Sequence, residues 1–160
     1  MKEVMSEAVR ILIVEAPYYR AISEELAAGA IEALEKAGVQ FERIEVPGAF
    51  EIPAAIALAA GLNIPAEYAP PPRYDGYLAL GCVIRGETTH YDYVCGESAR
   101  GLQDLALHDG LAIGFGILTV ENEAQAWARA KRDKKNKGGE AANACLAMIA
   151  LRKRFSEGVA

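Results

Sequence analysis

The sequence predicts an α/β fold in which a parallel sheet lies between two layers of helices. Three observations lead there. Short, nearly continuous apolar runs recur along the chain: VRILIV (9–14), YDGYLALGCVI (74–84) and LAIGFGILTV (111–120). Such runs suit strands buried on both faces. Longer segments with helical spacing separate them, and alternation of strand with helix selects a parallel sheet. The chain has 160 residues and is 52% hydrophobic and 24% charged, which suits a single domain with one core, expected over about 9–155.

The elements follow in order. VRILIV is the first strand. From Ile22 to Ala37 the apolar residues fall at Ile22, Leu26, Ala30, Ala33, Leu34 and Ala37, which marks a helix. Ser23 with Glu24 and Glu25 suits its start, and Gly38 its end. FERIEV (41–46) alternates, as a strand with one wetter face does. After the Pro47-Gly48 turn, FEIPAAIALAAGL predicts a short helix ending near Gly61. NIPAEYAPPP (63–72) is closed to helix and is expected as a surface loop. An inter-domain linker is the weaker alternative, because neither flank is long enough for a comfortable core. Residues 74–84 form the strongest strand. A helix is expected from Thr89 to Leu107, with Tyr93, Leu102, Leu105 and Ala106 among its apolar positions. Residues 111–120 give the last strand. Two helices close the chain, Glu121 to about Lys131 and Gly139 to Phe155, the latter with Ala141, Cys145, Met148, Leu151 and Phe155 on one stripe. Four strands with right-handed crossovers make a three-layer α/β/α sandwich, flavodoxin-like in kind.

A net charge of −5 and a pI of about 5.1 argue against non-specific nucleic-acid binding, which needs a basic face. They leave room for a small basic pocket that holds one phosphate. Cys82, Cys95 and Cys145 form no C-x-x-C pair and are odd in number, so a reducing, cytoplasmic setting is expected. With two histidines and no paired cysteines, no metal site is expected. MKEVMSEAVR has no apolar signal core, and no run approaches the roughly 18 apolar residues of a membrane span.

Ligands of open parallel sheets bind beyond the carboxyl ends of the strands. The candidates are therefore Glu15-Ala16-Pro17-Tyr18-Tyr19-Arg20, Pro47-Gly48-Ala49-Phe50-Glu51, Arg85-Gly86-Glu87-Thr88-Thr89-His90, and Thr119 with Glu121. GCVIRGET (81–88) resembles a nucleotide-binding P-loop, but Glu87 replaces the lysine that neutralises terminal phosphates. Backbone N–H groups and the Thr88 hydroxyl still suit a single phosphate at a helix start, and the same threonines suit an N-cap. His90 follows a buried strand and stands beside that anion site, as a proton shuttle needs. His108, at a helix end near a glycine, is expected to be surface structure. Tyr18 sits behind a proline in a post-strand loop, where its ring can stack on a flat ligand; Phe50 is expected to pack in the core. Glu51 complements a helix start or accepts hydrogen bonds from a polyol. Arg129 is helical and suited to clamp a phosphate, but the sequence alone does not aim it at this pocket. The run KRDKKNK (131–137) is expected mostly as a solvated face.

VPGAFEIP (46–53), ALGCVIRGETTHYDYVC (79–95), FGILT (115–119), QAWARA (125–130) and NKGGEAA (136–142) together resemble the lumazine synthase family, from about Val9 to Phe155. The resemblance implies the fold argued above, no cofactor and no metal. It implies a transferase of riboflavin biosynthesis that condenses 5-amino-6-(D-ribitylamino)uracil with 3,4-dihydroxy-2-butanone 4-phosphate. The products are 6,7-dimethyl-8-ribityllumazine, phosphate and water. In this resemblance Tyr18 stacks on the pyrimidine, and Ala49, Phe50 and Glu51 hold the ribityl chain. Cys82, Val83 and Ile84 border the heterocycle, Glu87 and Thr88 mark the phosphate loop, and His90 transfers protons. Phe115 and Arg129 come from the adjacent subunit, with Arg129 on the phosphate; Lys137 and Glu140 match positions near the site. The implied assembly is a homopentamer with active sites at subunit interfaces, with two small-molecule substrates as partners and no nucleic acid or membrane. Some members build a sixty-subunit shell and tend to carry glycine in the turn before the last helix. KRDKKN (131–136) lacks those glycines, which points to a free pentamer. Two departures stand out: Tyr18 replaces the more common phenylalanine or tryptophan, and NIPAEYAPPP lengthens a connection. A non-catalytic flavin or lumazine carrier and a flavodoxin-like redox module are the alternatives on the same scaffold.

Overall fold

The four expected strands form one parallel sheet in a computed structural model that describes residues 8–158. Most of the N-terminal stretch MKEVMSEAVR, residues 1–7, lies outside the described residues. The strands are β1 (Arg10–Ala16), β2 (Gln40–Glu45), β3 (Gly76–Ile84) and β4 (Ile113–Val120), in the order β2-β1-β3-β4. The helices are α1 (Arg20–Ala37), α2 (Ile52–Ala59), α3 (His90–Asp109), α4 (Glu123–Ala130) and α5 (Lys137–Ser156). Side chains alternate across the central strands and make two cores. Ile11, Ile13, Leu78 and Leu80 pack with Leu26 and Leu34 of α1, Ala126 of α4 and Cys145 of α5. Leu12, Val14, Tyr77 and Ala79 pack with Ile52 and Ile56 of α2 and Leu102 and Leu105 of α3. These are the three layers that the pattern predicts.

The edge strand β2 departs from its expected half-wet pattern, because only Phe41 is even partly buried. Its charges serve its neighbour: Arg43 donates from Nε to Glu15 Oε2 at 2.7 Å and from Nη2 to Oε1 at 3.0 Å. Glu15 lies on β1 and is only 4% exposed, so this bidentate bond satisfies a carboxylate that the sheet buries.

Helix starts shift from their expected places for identifiable reasons. α1 begins at Arg20, ahead of Ser23, and Ser23 is instead buried within it, with no protein partner for its hydroxyl among the described residues. Gly38 ends α1 in the left-handed conformation, as expected, with φ 69°. α4 begins at Glu123 because Asn122 Oδ1 accepts the Gln125 N–H at 2.9 Å. α5 begins two residues early, at Lys137, where Asn136 at φ 44° caps Gly139 N–H at 3.3 Å. The expected apolar stripe of α5 is core only at Ala141 and Cys145; Met148, Leu151 and Phe155 are exposed, as is Tyr93 of α3. The 63–72 connection is exposed, and its far end is pinned to β2 by Tyr74 and Arg73, which donate to Glu42 at 2.6 and 2.7 Å. Among the described residues no helix is long and apolar enough to cross a membrane.

Candidate active site

Strand order reverses between β1 and β3, so the loops that follow these two strands flank a crevice at the carboxyl edge of the sheet. After β1 the chain turns at Pro17, with Tyr18 N–H bonded to Ala16 O at 2.9 Å. Tyr19 then packs on the first core, and its ring meets that of Tyr18 edge-on, with centroids 5.0 Å apart. Tyr19 is the anchor, and Tyr18 is presented to solvent at 76% exposure. A similar division follows β2. The 3-10 turn Ala49–Glu51 buries Ala49 in the second core and leaves Glu51 exposed. Phe50, expected in the core, is 55% exposed, because the tight turn spends its inward position on Ala49.

After β3, residues Arg85 to Thr89 run through solvent into α3, which opens at His90. Thr88 Oγ1 accepts the His90 backbone N–H at 3.3 Å. Thr89 holds the N-cap position without a side-chain bond, so of the two threonines expected as a cap it is Thr88 that accepts at the helix start. The Thr88 O–H is not committed by this bond and can donate elsewhere. Glu87 and the His90 ring are exposed. Burial pushes the Cys82 thiol up to about 11, so at neutral pH Cys82 is a packed thiol rather than a nucleophile. Val83 and Ile84, half-buried, carry the wall on toward the turn.

The remaining candidates gather elsewhere. Phe115, Arg129, Lys137 and Glu140 line one cavity of about 430 Å³ along the open edge of β4, together with Thr119 and Ala141. Phe115 is 51% exposed there. Arg129 donates from Nη1 to Gln125 O at 3.1 Å, and Lys137 pairs with Glu140 at 2.7 Å. One arginine, one lysine and one glutamate leave the cavity net positive. Tyr18, Phe50, Thr88 and His90 are not among its lining. The structure thus divides the sequence-predicted residues into two sets on one chain, a strand-end rim and a β4-edge cavity.

His108 lies exposed in the last turn of α3, as expected of surface structure. The 131–137 run is less freely solvated than expected, since Arg132 bonds Glu25 of α1 through both its backbone N–H, at 3.0 Å, and its Nε, at 3.2 Å. One feature the sequence did not signal is a knot around Arg85, which binds Glu121 and Asp92 and covers the Tyr91 ring. An arginine directly after a buried strand, with acids after the next strand and in the next helix, is its faint signature. Among the described residues no cluster of three or more His, Cys, Asp or Glu could hold a metal ion.

Comparison with known proteins gives a consistent result. The family described as 6,7-dimethyl-8-ribityllumazine synthase matches residues 8–153. The chain is 57% identical over 157 residues to the 6,7-dimethyl-8-ribityllumazine synthase of Bartonella tribocorum, covering 98% of each chain. It is 59% identical over 147 residues to the protein of that name from Bartonella bacilliformis, covering 92% of each. For the one from Novosphingobium aromaticivorans the identity is 56% over 147 residues, covering 92% of this chain and 99% of the relative.

Proposed function

Because the chain belongs to the 6,7-dimethyl-8-ribityllumazine synthase family, we propose that it performs that reaction in a pocket built from two different faces of neighbouring subunits. The enzyme is a transferase of riboflavin biosynthesis. It condenses 5-amino-6-(D-ribitylamino)uracil with 3,4-dihydroxy-2-butanone 4-phosphate and releases 6,7-dimethyl-8-ribityllumazine, phosphate and water. The observation that carries the shared pocket is the separation of the two residue sets. Arg129, Lys137 and Phe115 share the β4-edge cavity, which none of Tyr18, Phe50, Thr88 and His90 lines. A site that needs both sets requires the cavity of one subunit to face the rim of the next. Such head-to-tail contacts close into rings where the rotation between subunits allows it, and the family resemblance supports a pentamer, here a free one in a cytoplasmic setting.

In this pocket Tyr18 stacks on the pyrimidine, while Cys82, Val83 and Ile84 border its edge. Ala49, Phe50 and Glu51 hold the ribityl chain, the Glu51 carboxylate accepting hydroxyl hydrogen bonds. The turn at Glu87 and Thr88 receives the phosphate through backbone N–H groups and the Thr88 hydroxyl; the Glu87 carboxylate itself would repel it. Arg129 of the neighbour neutralises the phosphate, with Lys137 and Glu140 beside it and Phe115 closing the ring site. The aromatic amine attacks the ketone and an imine forms with loss of water; phosphate leaves, and the ribitylamino nitrogen closes the ring on the remaining carbonyl with loss of a second water. His90 relays protons among these steps. Holding two reactants in register can supply roughly 7–11 kcal/mol, against roughly 10²–10⁴ in rate from a placed acid–base group, so positioning dominates.

The test combines turnover with assembly. Mixing the two substrates with the protein should produce lumazine absorbance; a carrier would bind without product, and a redox module would hold flavin without releasing phosphate. Oligomers reassembled from a mixture of His90→Ala and Arg129→Ala subunits should exceed the mean activity of the two parents, because some pockets regain both intact halves. Activity that stays at the mean would place both residues in one subunit's site and reject the shared pocket.

A further inference from the structure

Arg85 is the first residue beyond β3, and its backbone N–H still bonds Val120 O at 3.0 Å, extending the ladder with β4. Its side chain then joins three elements. Nε donates to Glu121 Oε2 at 2.7 Å and Nη2 to Oε1 at 3.4 Å, reaching the residue that follows β4. Nη1 donates to Asp92 Oδ1 at 3.4 Å, and the guanidinium lies over the Tyr91 ring at 4.3 Å, both in the first turn of α3. Between these attachments Gly86 to Thr89 is exposed, and a Cβ at Gly86 would meet nothing within 4 Å. Packing therefore does little to fix this segment, and its two ends must do so. Glu121 is itself held, its N–H donating to Gln125 Oε1 at 2.9 Å at the base of α4.

We propose that Arg85 is a positioning residue that fixes the phosphate turn by tying the end of β4 to the first turn of α3. The inference rests on the reading of Glu87 and Thr88 as that turn. Arg85 does not serve as a phosphate ligand in its own right, because two carboxylates already face its one positive charge. Exposed ion pairs usually contribute little, but a forked arginine–carboxylate bond within a network holds its geometry and contributes more. The consequence should appear in binding rather than in overall stability.

The experiment compares Arg85→Met and Arg85→Lys with wild type in steady-state kinetics for each substrate, and in calorimetric binding of inorganic phosphate. Arg85→Met should raise the ketone-phosphate KM and the phosphate Kd roughly tenfold or more, while KM for the amine stays close to wild type. Arg85→Lys should recover only part of this, since it keeps the charge but lacks the fork. Equal rises in both KM values, no rise, or full recovery with lysine would overturn the proposal. Should Arg85→Met fail to assemble, Glu121→Gln cuts one arm of the tie and should produce a smaller rise confined to the ketone phosphate; an unchanged value would also overturn it. If wild type forms no product, the functional reading fails, yet phosphate binding still judges the tie. Wild type that binds no phosphate would refute the turn as its site, and this proposal with it.

Discussion

Where α5 crosses α1, Gly29 and Gly138 let one helix rest close on the other, whereas at the strand ends Tyr18 and Phe50 stand out in solvent. A Cβ on Gly138 would run into the Leu26 carbonyl, and one on Gly29 into the Asn136 side chain that caps α5. The seam fixes where α5 begins. Lys137 and Glu140 belong to that first turn, so the seam also sets the wall of the β4-edge cavity. The rim does the opposite: half-buried Tyr19 and buried Ala49 anchor turns that leave Tyr18 and Phe50 uncovered. In the proposed pocket these faces meet a flat ligand, so the subunit leaves them unburied. The difference separates residues whose loss should unfold the protein from residues whose loss should only slow it.

The seam offers the strongest way to break this comparison. Gly138→Val should destabilise the protein by roughly 3 kcal/mol or more, because neither the Leu26 carbonyl nor the helix can yield cheaply. Gly96→Ala is the contrast, since a Cβ there meets nothing within 4 Å and alanine favours the middle of α3 by roughly 0.5–1 kcal/mol. Denaturation midpoints read both. A Gly138→Val protein as stable as wild type would show that the seam constrains nothing.

On the rim, His90→Ala should lower kcat by roughly 10² and leave the denaturation midpoint in place, since the ring is exposed. Turnover should stay measurable, because positioning remains. Complete loss of turnover in a folded, assembled variant would give the histidine a larger share than positioning. At the cavity, Arg129→Ala should reduce kcat/KM for the ketone phosphate by roughly 10- to 100-fold, with the amine's KM hardly changed. Unchanged kinetics for the phosphorylated substrate would remove Arg129 from the clamp role.

The sequence carried the sheet and its order of elements because β1 and β3 are central, and central parallel strands read as unbroken apolar runs. It misjudged β2, since an edge strand that supplies Arg43 to a buried Glu15 follows no simple alternation. Helix starts slipped where the cap was an asparagine, at Asn122 and Asn136, that composition did not single out. The stripe expected on α5 assumed a lone core, but Met148, Leu151 and Phe155 run past the end of it. Rim residues were legible because parallel sheets always offer the same edge. The grouping of Phe115, Arg129, Lys137 and Glu140 came only through the family resemblance and not from the residue pattern, because it depends on how α4 and α5 fold back beside β4. The Arg85 tie was hidden for the same reason: its partners lie 36 and 7 residues away on different elements.

The smallest effect tests the rim most finely. Tyr18→Phe keeps the ring and its edge-on contact with Tyr19 while removing only a hydroxyl, for which the structure shows no bond among the described residues. Stacking depends on the ring face, so KM for the amine should stay near wild type. Tyr18→Ala removes the face and should weaken amine binding by roughly 0.5–1.5 kcal/mol beyond the lost burial, with stability nearly unchanged because the side chain is already in solvent. If Tyr18→Phe instead costs as much as Tyr18→Ala, the hydroxyl contacts the ligand or the neighbouring subunit. The rim would then share the seam's property of fixed, specific contact, and the contrast between the two regions would narrow to one of degree.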